Sequence, residues 1–369
     1  MPPQATLTAQ RPYWSFAAAP ASVAWLIGGV TLARLLFIAF FCTYTLAEDE
    51  AFYWDWSRHP DLSYYTKGPG VAWAIAASTR LFGHTEFAVR LPAILSAAVL
   101  SLATAHFTRD LVTDDTKDPV QGRRAGFFAA VCTLLLPMFQ ASALLMTIDG
   151  PYAACWAVAC FLGYRALVRR RHALWPLAAL AIGLSFLFKY TALVLPASWL
   201  LALLFSKPLR ASAKASWPWL VFASIIFLIT ISPVLIWNTR EGWPTIAHLL
   251  GHLGVKGGDV APTQSTSWHY SPLWTLSYLG GQFALAGPVF ALALIAAWRT
   301  RTTAAVGARF ALWSGAPLFI MYLAVSVLTE PEGNWTFAGH IPACALAATL
   351  IDPALTAWRS RVLAWRALP

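Results

Sequence analysis

Charge is scarce in this chain. Lys, Arg, Asp and Glu make up 11% of its 369 residues, against about a quarter in a soluble domain. Aliphatic and aromatic residues make up 58%, and the mean hydropathy is +0.59, which excludes a water-soluble domain. Alternating segments of about ten residues, the mark of a membrane β-barrel, are also missing; the apolar runs continue over roughly 17–25 residues, enough to cross about 30 Å of hydrocarbon as helix. The five cysteines, Cys42, Cys132, Cys155, Cys160 and Cys344, lie inside apolar runs without a CxxC, so neither a disulfide framework nor a zinc knuckle is indicated. No Walker loop, GxGxxG or GxSxG elbow occurs. His248 and His252 have ligand spacing but no glutamate to complete HExxH, and are expected to be an exposed or satisfied pair. The formal charge of +10 does not point to nucleic acid, because the cations sit in short clusters between apolar runs.

What is present predicts an all-α, polytopic helical membrane protein with about ten spans. They are Ala21–Thr45, Glu86–Phe107, Ala125–Ala143, Pro151–Gly163 extended toward Leu167, Ala173–Phe188, Thr191–Phe205, Trp217–Trp237, Leu273–Trp298, Phe310–Leu328 and Phe337–Ile351. The first run is longer than a signal-peptide core and is preceded by Arg11 alone, so an uncleaved span is expected. One set of connecting segments collects the cations: Arg109, Lys117, Arg123 and Arg124, then Arg165, Arg169, Arg170 and Arg171, then Lys207, Arg210 and Lys214, then Arg299, Arg301 and Arg309, then Arg359, Arg361 and Arg366. The positive-inside rule places these and both termini in the cytoplasm. The other set carries eleven of the sixteen acids, so the polar chemistry is expected on the outer face. Pro69–Phe82 is too short to span and suits an interfacial helix, anchored by Trp54, Trp56, Tyr64, Tyr65 and Trp73. One membrane domain over residues 1–369 is expected, with outer loops at 46–85 and 238–272.

The stretch Glu48–Gly70 is the polar island of the chain. It holds Glu48, Asp49, Glu50, Asp55 and Asp61 among Arg58, His59, Lys67 and, just beyond, Arg80. Asp49 follows the outer end of the first span, where desolvation and neighbouring cations can tune a base; for Glu48 or Asp61 alone, an acid solvating a helix end is the plainer account. Lys67 stands in TKGPG, whose glycines and proline make a sharp turn and permit close backbone approach. It suits a phosphate oxyanion, bound as ligand or as lipid headgroup. Asp149 in MTIDGP is a functional carboxylate, a helix cap, or both. Lys189 in FKYTAL is an ionisable group at membrane depth and so functionally suspect, and Arg34 must face the bundle interior and find a partner.

The succession DEAFYWDWSRHPDLSYYTKGPGVAW, FGHTEFAVRLPAIL, MTIDGP, FLFKYTALVL, VLIWNTREGWP and EPEGNW resembles, over about residues 30–345, the bacterial polyprenyl-phosphate-sugar-dependent glycosyltransferases of the GT-C fold. Their relatives include protein O-mannosyltransferases and the lipid A aminoarabinose transferase. The resemblance implies inverting transfer of a sugar from a polyprenyl-phosphate donor to a lipid, glycan or protein acceptor, at the periplasmic face of a bacterial inner membrane and without a nucleotide sugar. The family's acidic pair matches Asp49 and Glu50, and its second acidic position matches Asp149. Its turn lysine matches Lys67, although KGP stands here where KPP is usual, and a recurrent KYT element matches Lys189. The larger members carry a periplasmic C-terminal domain that this chain is expected to lack.

Such a displacement passes through an oxocarbenium-like state, which needs a base for the acceptor hydroxyl and positive charge for the departing phosphate. Asp49 is the expected base, with Asp149 the alternative and Glu50 beside it. Lys67, Lys189 and Arg58 are candidates for the donor phosphate, and Tyr53, His59, Tyr64 and Asn334 for other substrate contacts. No cofactor or metal ligand is assigned, and a divalent metal is not indicated; the expected partners are donor, acceptor and membrane lipids, with no nucleic acid. The alternative is a transporter or lipid flippase lined by Arg34 and Lys189. Such folds place polar groups near the midplane, whereas here they gather at one face.

Overall fold

Prolines and side-chain caps divide the chain before packing does. The computed structural model describes residues 15–252, 270–300 and 305–366, and the regular structure among them is helical. The order is α1 (Ser22–Phe40), α2 (Glu48–Arg58), α3 (Gly70–Phe82), α4 (Glu86–Thr116), α5 (Pro119–Leu135), α6 (Pro137–Leu144), α7 (Asp149–Leu167), α8 (Trp175–Phe188), α9 (Val194–Phe205), α10 (Lys207–Ala215), α11 (Trp217–Glu241), α12 (Pro244–His252), α13 (Pro272–Arg299), α14 (Val306–Val325) and α15 (His340–Arg366). Short 3₁₀ turns at Tyr190–Leu193 and Gly333–Gly339 precede α9 and α15. Part of the expected 238–272 loop, with Asp259, and also Arg301 lie outside the described residues.

Thr85 accepts the Ala88 N–H at 3.2 Å and starts α4. Asp118 accepts the N–H groups of Val120 and Gln121 and starts α5, with Pro119 as its first residue. Pro137 excludes the helical region for Leu136, which is extended (φ −65°, ψ 130°), so α6 leaves α5 at a 66° bend.

The ten predicted spans fall on helical segments, Ala125–Ala143 being divided between α5 and α6, but by length and composition six of the described helices can cross a membrane, and up to eight if two bent pairs each count as one span. The six are α1, α4, α11, α13, α14 and the stretch Gly333–Leu355; the bent pairs are α5 with α6, and Tyr190–Phe205 with α10. α8 has 14 residues, about 21 Å at 1.5 Å per residue, short of a 30 Å core. α7 begins on Asp149 and carries Arg165 in its last turn. α3, with 13 residues, is likewise too short to cross.

α4 is the central strut, packed on α1, α5 and α7, and α7 and α11 both pack on α8. Small residues let the backbones close in, as on α7 with Ala153, Ala154, Ala157 and Ala159, all buried. Ion pairs tie both ends of α4. At one end Arg90 meets Glu50 of α2. Twenty residues on, about 30 Å along the helix, Asp110 meets Arg165 at 2.6 Å and Arg169 at 2.8 Å, and Asp114 meets Arg169 at 2.7 Å. Arg34 is buried on α1 and donates to Gln140 Oε1 of α6 at 2.7 Å, so its partner is neutral.

Candidate active site

α2 begins with three acids in its first turn, a favourable placement against the helix dipole. Neighbours on a helix point about 100° apart, and here that separates Asp49 from Glu50. Glu50 is fully enclosed. Its carboxylate accepts from Arg90 Nη2 at 2.8 Å and Nε at 3.0 Å, from the Ala47 N–H at 3.0 Å, and from the Met146 N–H at 2.9 Å. Arg90 also donates to the Thr45 and Tyr44 carbonyls at 2.8 and 3.1 Å. One carboxylate thus joins α2, α4 and the segment that leads into Asp149. Its cation is Arg90, forty positions on. Arg58 lies on the exposed side of α2, 3.7 Å from Asp55 and over the Trp54 ring.

Asp49 is exposed, and its carboxylate makes no hydrogen bond or ion pair with the described residues. Tyr53, one turn later, is buried; burial foremost, then the charges of Asp49, Asp149 and Glu332, raise its hydroxyl pKa well above the ordinary value.

The turn after α2 is fixed by aromatic contacts. The Tyr64 ring stacks on Trp56 with centroids 4.2 Å apart and planes at 5°. Its hydroxyl lies 3.0 Å from the Trp56 carbonyl and 3.1 Å from that of His59, and burial raises its pKa. His59 itself is exposed, with Nδ1 3.4 Å from the Asp55 carbonyl. Asp61 accepts from Trp237 of α11 at 3.1 Å, and its carbonyl accepts from Trp73 of α3 at 2.9 Å.

The turn that carries Lys67 then meets the C-terminal end of α8. A Cβ on Gly68 would collide with the Leu187 carbonyl, and one on Gly70 would come within 3.0 Å of Leu187 and of the Phe188 ring. The two glycines therefore let the turn rest on the residues immediately before Lys189. Ser63 lies 3.4 Å from the Tyr190 hydroxyl and closes the same contact. The Lys67 ammonium has its pKa lowered, first by burial and second by the charge of Lys189; Asp149, Glu332 and Asp49 oppose the shift.

Lys189 Nζ donates to Asp149 Oδ1 at 2.8 Å and lies 5.7 Å from the centre of the Tyr152 ring. Asn334, from the Gly333–Gly339 turn, donates to Asp149 Oδ2 at 3.0 Å. Both oxygens of the buried Asp149 are thereby engaged. The structure brings Asp49, Tyr53, Lys67, Asp149, Lys189 and Asn334 to one end of the bundle and sets Arg58, His59 and Tyr64 in the loop beside it; Glu50 is enclosed beneath. Sequence reasoning left Arg90, Tyr152 and Glu332 unassigned. Arg90 was visible as a cation in an apolar run, and Glu332 as an acid two positions before Asn334. Among the described residues no group of three or more His, Cys, Asp or Glu side chains is arranged to hold a metal ion. The His248 ring packs on Tyr65 with centroids 5.5 Å apart.

Residues 66–237 match the family of dolichyl-phosphate-mannose-protein mannosyltransferases. The lipid A galacturonosyltransferase RgtD of Rhizobium johnstonii is 26% identical over 341 residues, covering 90% of this chain and 66% of the relative. The undecaprenyl phosphate-alpha-4-amino-4-deoxy-L-arabinose arabinosyl transferase 2 of Proteus mirabilis is 25% identical over 252 residues, 65% of this chain and 42% of that protein. The chain thus spans less than two thirds of these relatives' own lengths. In architecture it is similar to ArnT from Cupriavidus metallidurans bound to undecaprenyl phosphate, with a TM-score of 0.64, 18% identity and coverage of 90% of this chain and 60% of that one. It is also similar to the Archaeoglobus fulgidus oligosaccharyltransferase, with a TM-score of 0.59, 14% identity and coverage of 97% and 51%. This is a multi-pass membrane protein of the GT-C fold, related to the polyprenyl-phosphate-sugar-dependent glycosyltransferases.

Proposed function

We propose that this protein transfers a sugar from a polyprenyl-phosphate donor to a lipid acceptor, with inversion, at the periplasmic face of a bacterial inner membrane, and that residues 1–369 hold one transferase unit. The observation that carries the proposal is the gathering of two lysines, Lys67 and Lys189, and three carboxylates, Asp49, Asp149 and Glu332, at one end of a membrane bundle, with Lys189 ion-paired to Asp149. Lys67 and Lys189 take the charge of the departing phosphate. Asp49, whose carboxylate has no hydrogen-bond or ion-pair partner among the described residues, accepts the proton as the acceptor oxygen attacks C1 and the bond from C1 to the phosphate oxygen breaks. Asp149 holds Lys189, and Glu50 with Arg90 holds the loop that carries Asp149. Tyr53 and Asn334 face the substrates.

Two cavities fit amphiphilic substrates. An apolar groove of about 450 Å³ begins at Leu193 and Pro196, just after Lys189, and runs along Ile182, Trp199, Leu220 and Phe227; it suits an isoprenoid tail. A cleft of about 200 Å³, walled by Met138, Leu145, Leu285 and Phe337, reaches Asp149 and Asn334 from the α6 and α13 side. Those walls favour a lipid acceptor over a glycan or protein, in keeping with the lipid A named for one relative.

The test is transfer by the purified protein in lipid nanodiscs, with lipid A as acceptor. The donors are polyprenyl-phosphate-linked galacturonic acid, 4-amino-4-deoxyarabinose and mannose, and products are resolved by mass spectrometry. One donor should be consumed and its sugar found on the lipid, with turnover dropping about 10²–10⁴-fold in Asp49→Asn, the usual share of a general base. Full activity in Asp49→Asn with loss in Asp149→Asn would move the base to Asp149, and movement of substrate across the bilayer without any transfer would refute the transferase.

A further inference from the structure

Asn334 reaches Asp149 from a turn that α13 holds from below. Gln282, Thr336 and His340 form a polar cluster beneath that turn, and all three side chains are fully enclosed. Gln282 Nε2 lies 3.2 Å from the Tyr278 carbonyl, and Gln282 Oε1 lies 2.6 Å from Thr336 Oγ1 and 3.0 Å from His340 Nε2. The Tyr278 carbonyl can only accept, which fixes the amide nitrogen on its side and the amide oxygen toward the turn. Thr336 and His340 must therefore both donate to a single oxygen. His340 carries its proton on Nε2, while its Nδ1 is buried without a hydrogen-bond partner.

These contacts are costly to leave unmade in an enclosed site. They pin the middle and the end of a seven-residue turn, with Thr336 two residues past Asn334 and His340 just after its end. From the turn, Asn334 fixes one oxygen of Asp149, and the other oxygen fixes Lys189.

We infer that Gln282, acting through Thr336, is a positioning residue for transfer: it sets the height of Asn334, and so the carboxylate plane of Asp149 and the direction in which Lys189 meets the donor phosphate. This rests on the transferase proposal above. Loss of one supporting hydrogen bond tilts Lys189 without withdrawing it from the phosphate, so the loss falls on the transition state, where alignment counts most, and not on ground-state binding.

The test uses Thr336→Val, which keeps shape but removes the donor, Thr336→Ser, which keeps the donor, and Gln282→Met. Each is assayed in nanodiscs with the panel donor that the wild-type protein turns over, and undecaprenyl phosphate affinity is measured separately. Thr336→Val and Gln282→Met should lower kcat roughly ten- to a hundredfold, the scale of one hydrogen bond to a charged group, with donor KM and undecaprenyl phosphate affinity within about twofold. Thr336→Ser should restore turnover. Thr336→Val should add nothing to Asn334→Ala, because both cut the same link. Wild-type kcat in Thr336→Val, or losses that multiply with those of Asn334→Ala, would overturn the inference while leaving the transferase standing. Full turnover in Asp149→Asn would overturn the inference together with the role given to Asp149.

Discussion

Replacing Glu50 by leucine tests whether this acid serves structure or chemistry. In the wild type four N–H groups converge on its enclosed carboxylate, two from Arg90 and one each from Ala47 and Met146. Leucine leaves Arg90, 2% exposed, with only carbonyls and the Cys42 sulfur as partners. Stranding one member of a buried ion pair costs about 3–5 kcal/mol. The remaining carbonyl contacts place this case at the lower end, and the orphaned Met146 N–H adds about 1–3 kcal/mol. A loss of about 4–6 kcal/mol is thus expected, a large share of a typical stability.

Adding Arg90→Met to Glu50→Leu removes the stranded charge, so the double variant should be more stable than Glu50→Leu by about 2–3 kcal/mol, a coupling of the size found for residues in one network. Thermal unfolding in detergent, followed by tryptophan fluorescence, reads both steps. Undecaprenyl phosphate binding by the surviving folded fraction of Glu50→Leu should also fall, because Met146 leads into Asp149. A Glu50→Leu protein as stable as wild type but unable to transfer sugar would refute the structural role and put Glu50 in the chemistry; losses that simply add in the double variant would refute the coupling.

Three further outcomes follow from the same geometry. The folded-state pKa of Lys67 is lowered, so its charge, and with it donor affinity, should be present at neutral pH and fall as pH rises through a value below the ordinary lysine range near 10.4; in Lys67→Arg that alkaline fall should move upward, because arginine stays protonated, and titrating undecaprenyl phosphate binding against pH checks it. Gly68→Ala keeps every charge but drives a methyl into the Leu187 carbonyl, so undecaprenyl phosphate affinity should drop, measurably by native mass spectrometry, and an unchanged affinity would sever the turn from the phosphate site. With the native cysteines replaced, a cysteine at the exposed His59 should react with an impermeant thiol reagent in intact cells and one at the exposed Arg171 should not; the reverse pattern would invert the proposed topology.

The sequence made the polar island legible because five acids and a cluster of aromatics interrupt an otherwise apolar chain, and made Lys67 legible because two glycines flank Pro69. It did not show which cation meets Glu50. Arg90 lies forty positions away inside an apolar helix, and only the fold brings them together. Asn334 stands in the EPEGNW stretch, but its contact with Asp149 spans 185 positions, and nothing local in Gln282 or Thr336 announces the support beneath it. The span count shows a different limit. Hydropathy reports composition, so Ala125–Ala143 read as one run, while the backbone bends where Pro137 forbids helix at Leu136. In α7 and α8 the expected spans are helices, but short or polar ones whose packing inside the bundle replaces length as the reason they are stable.

Burial sorts the charges of the site in a way that composition could not. Three carboxylates against two lysines give a formal excess of negative charge, which by itself would repel a phosphate. Asp49 and Glu332 are exposed, however, and water and salt screen them, whereas Asp149 is 7% exposed and Lys67 and Lys189 are partly enclosed. Interactions count for more where the dielectric is low, so the enclosed half of the cluster, with two lysines and one carboxylate, presents net positive charge to a phosphate arriving along the α8 and α9 side. Burial first and the opposition of Lys189 second lower the Lys67 pKa, and an anion settling between the two lysines would relieve that opposition. The exposed half leaves Asp49 open to water and, on the proposed assignment, to the acceptor. On the proposed assignment, leaving group and base are thereby separated by depth within a single cluster, so that the phosphate does not neutralise the base, nor the base discharge the lysines.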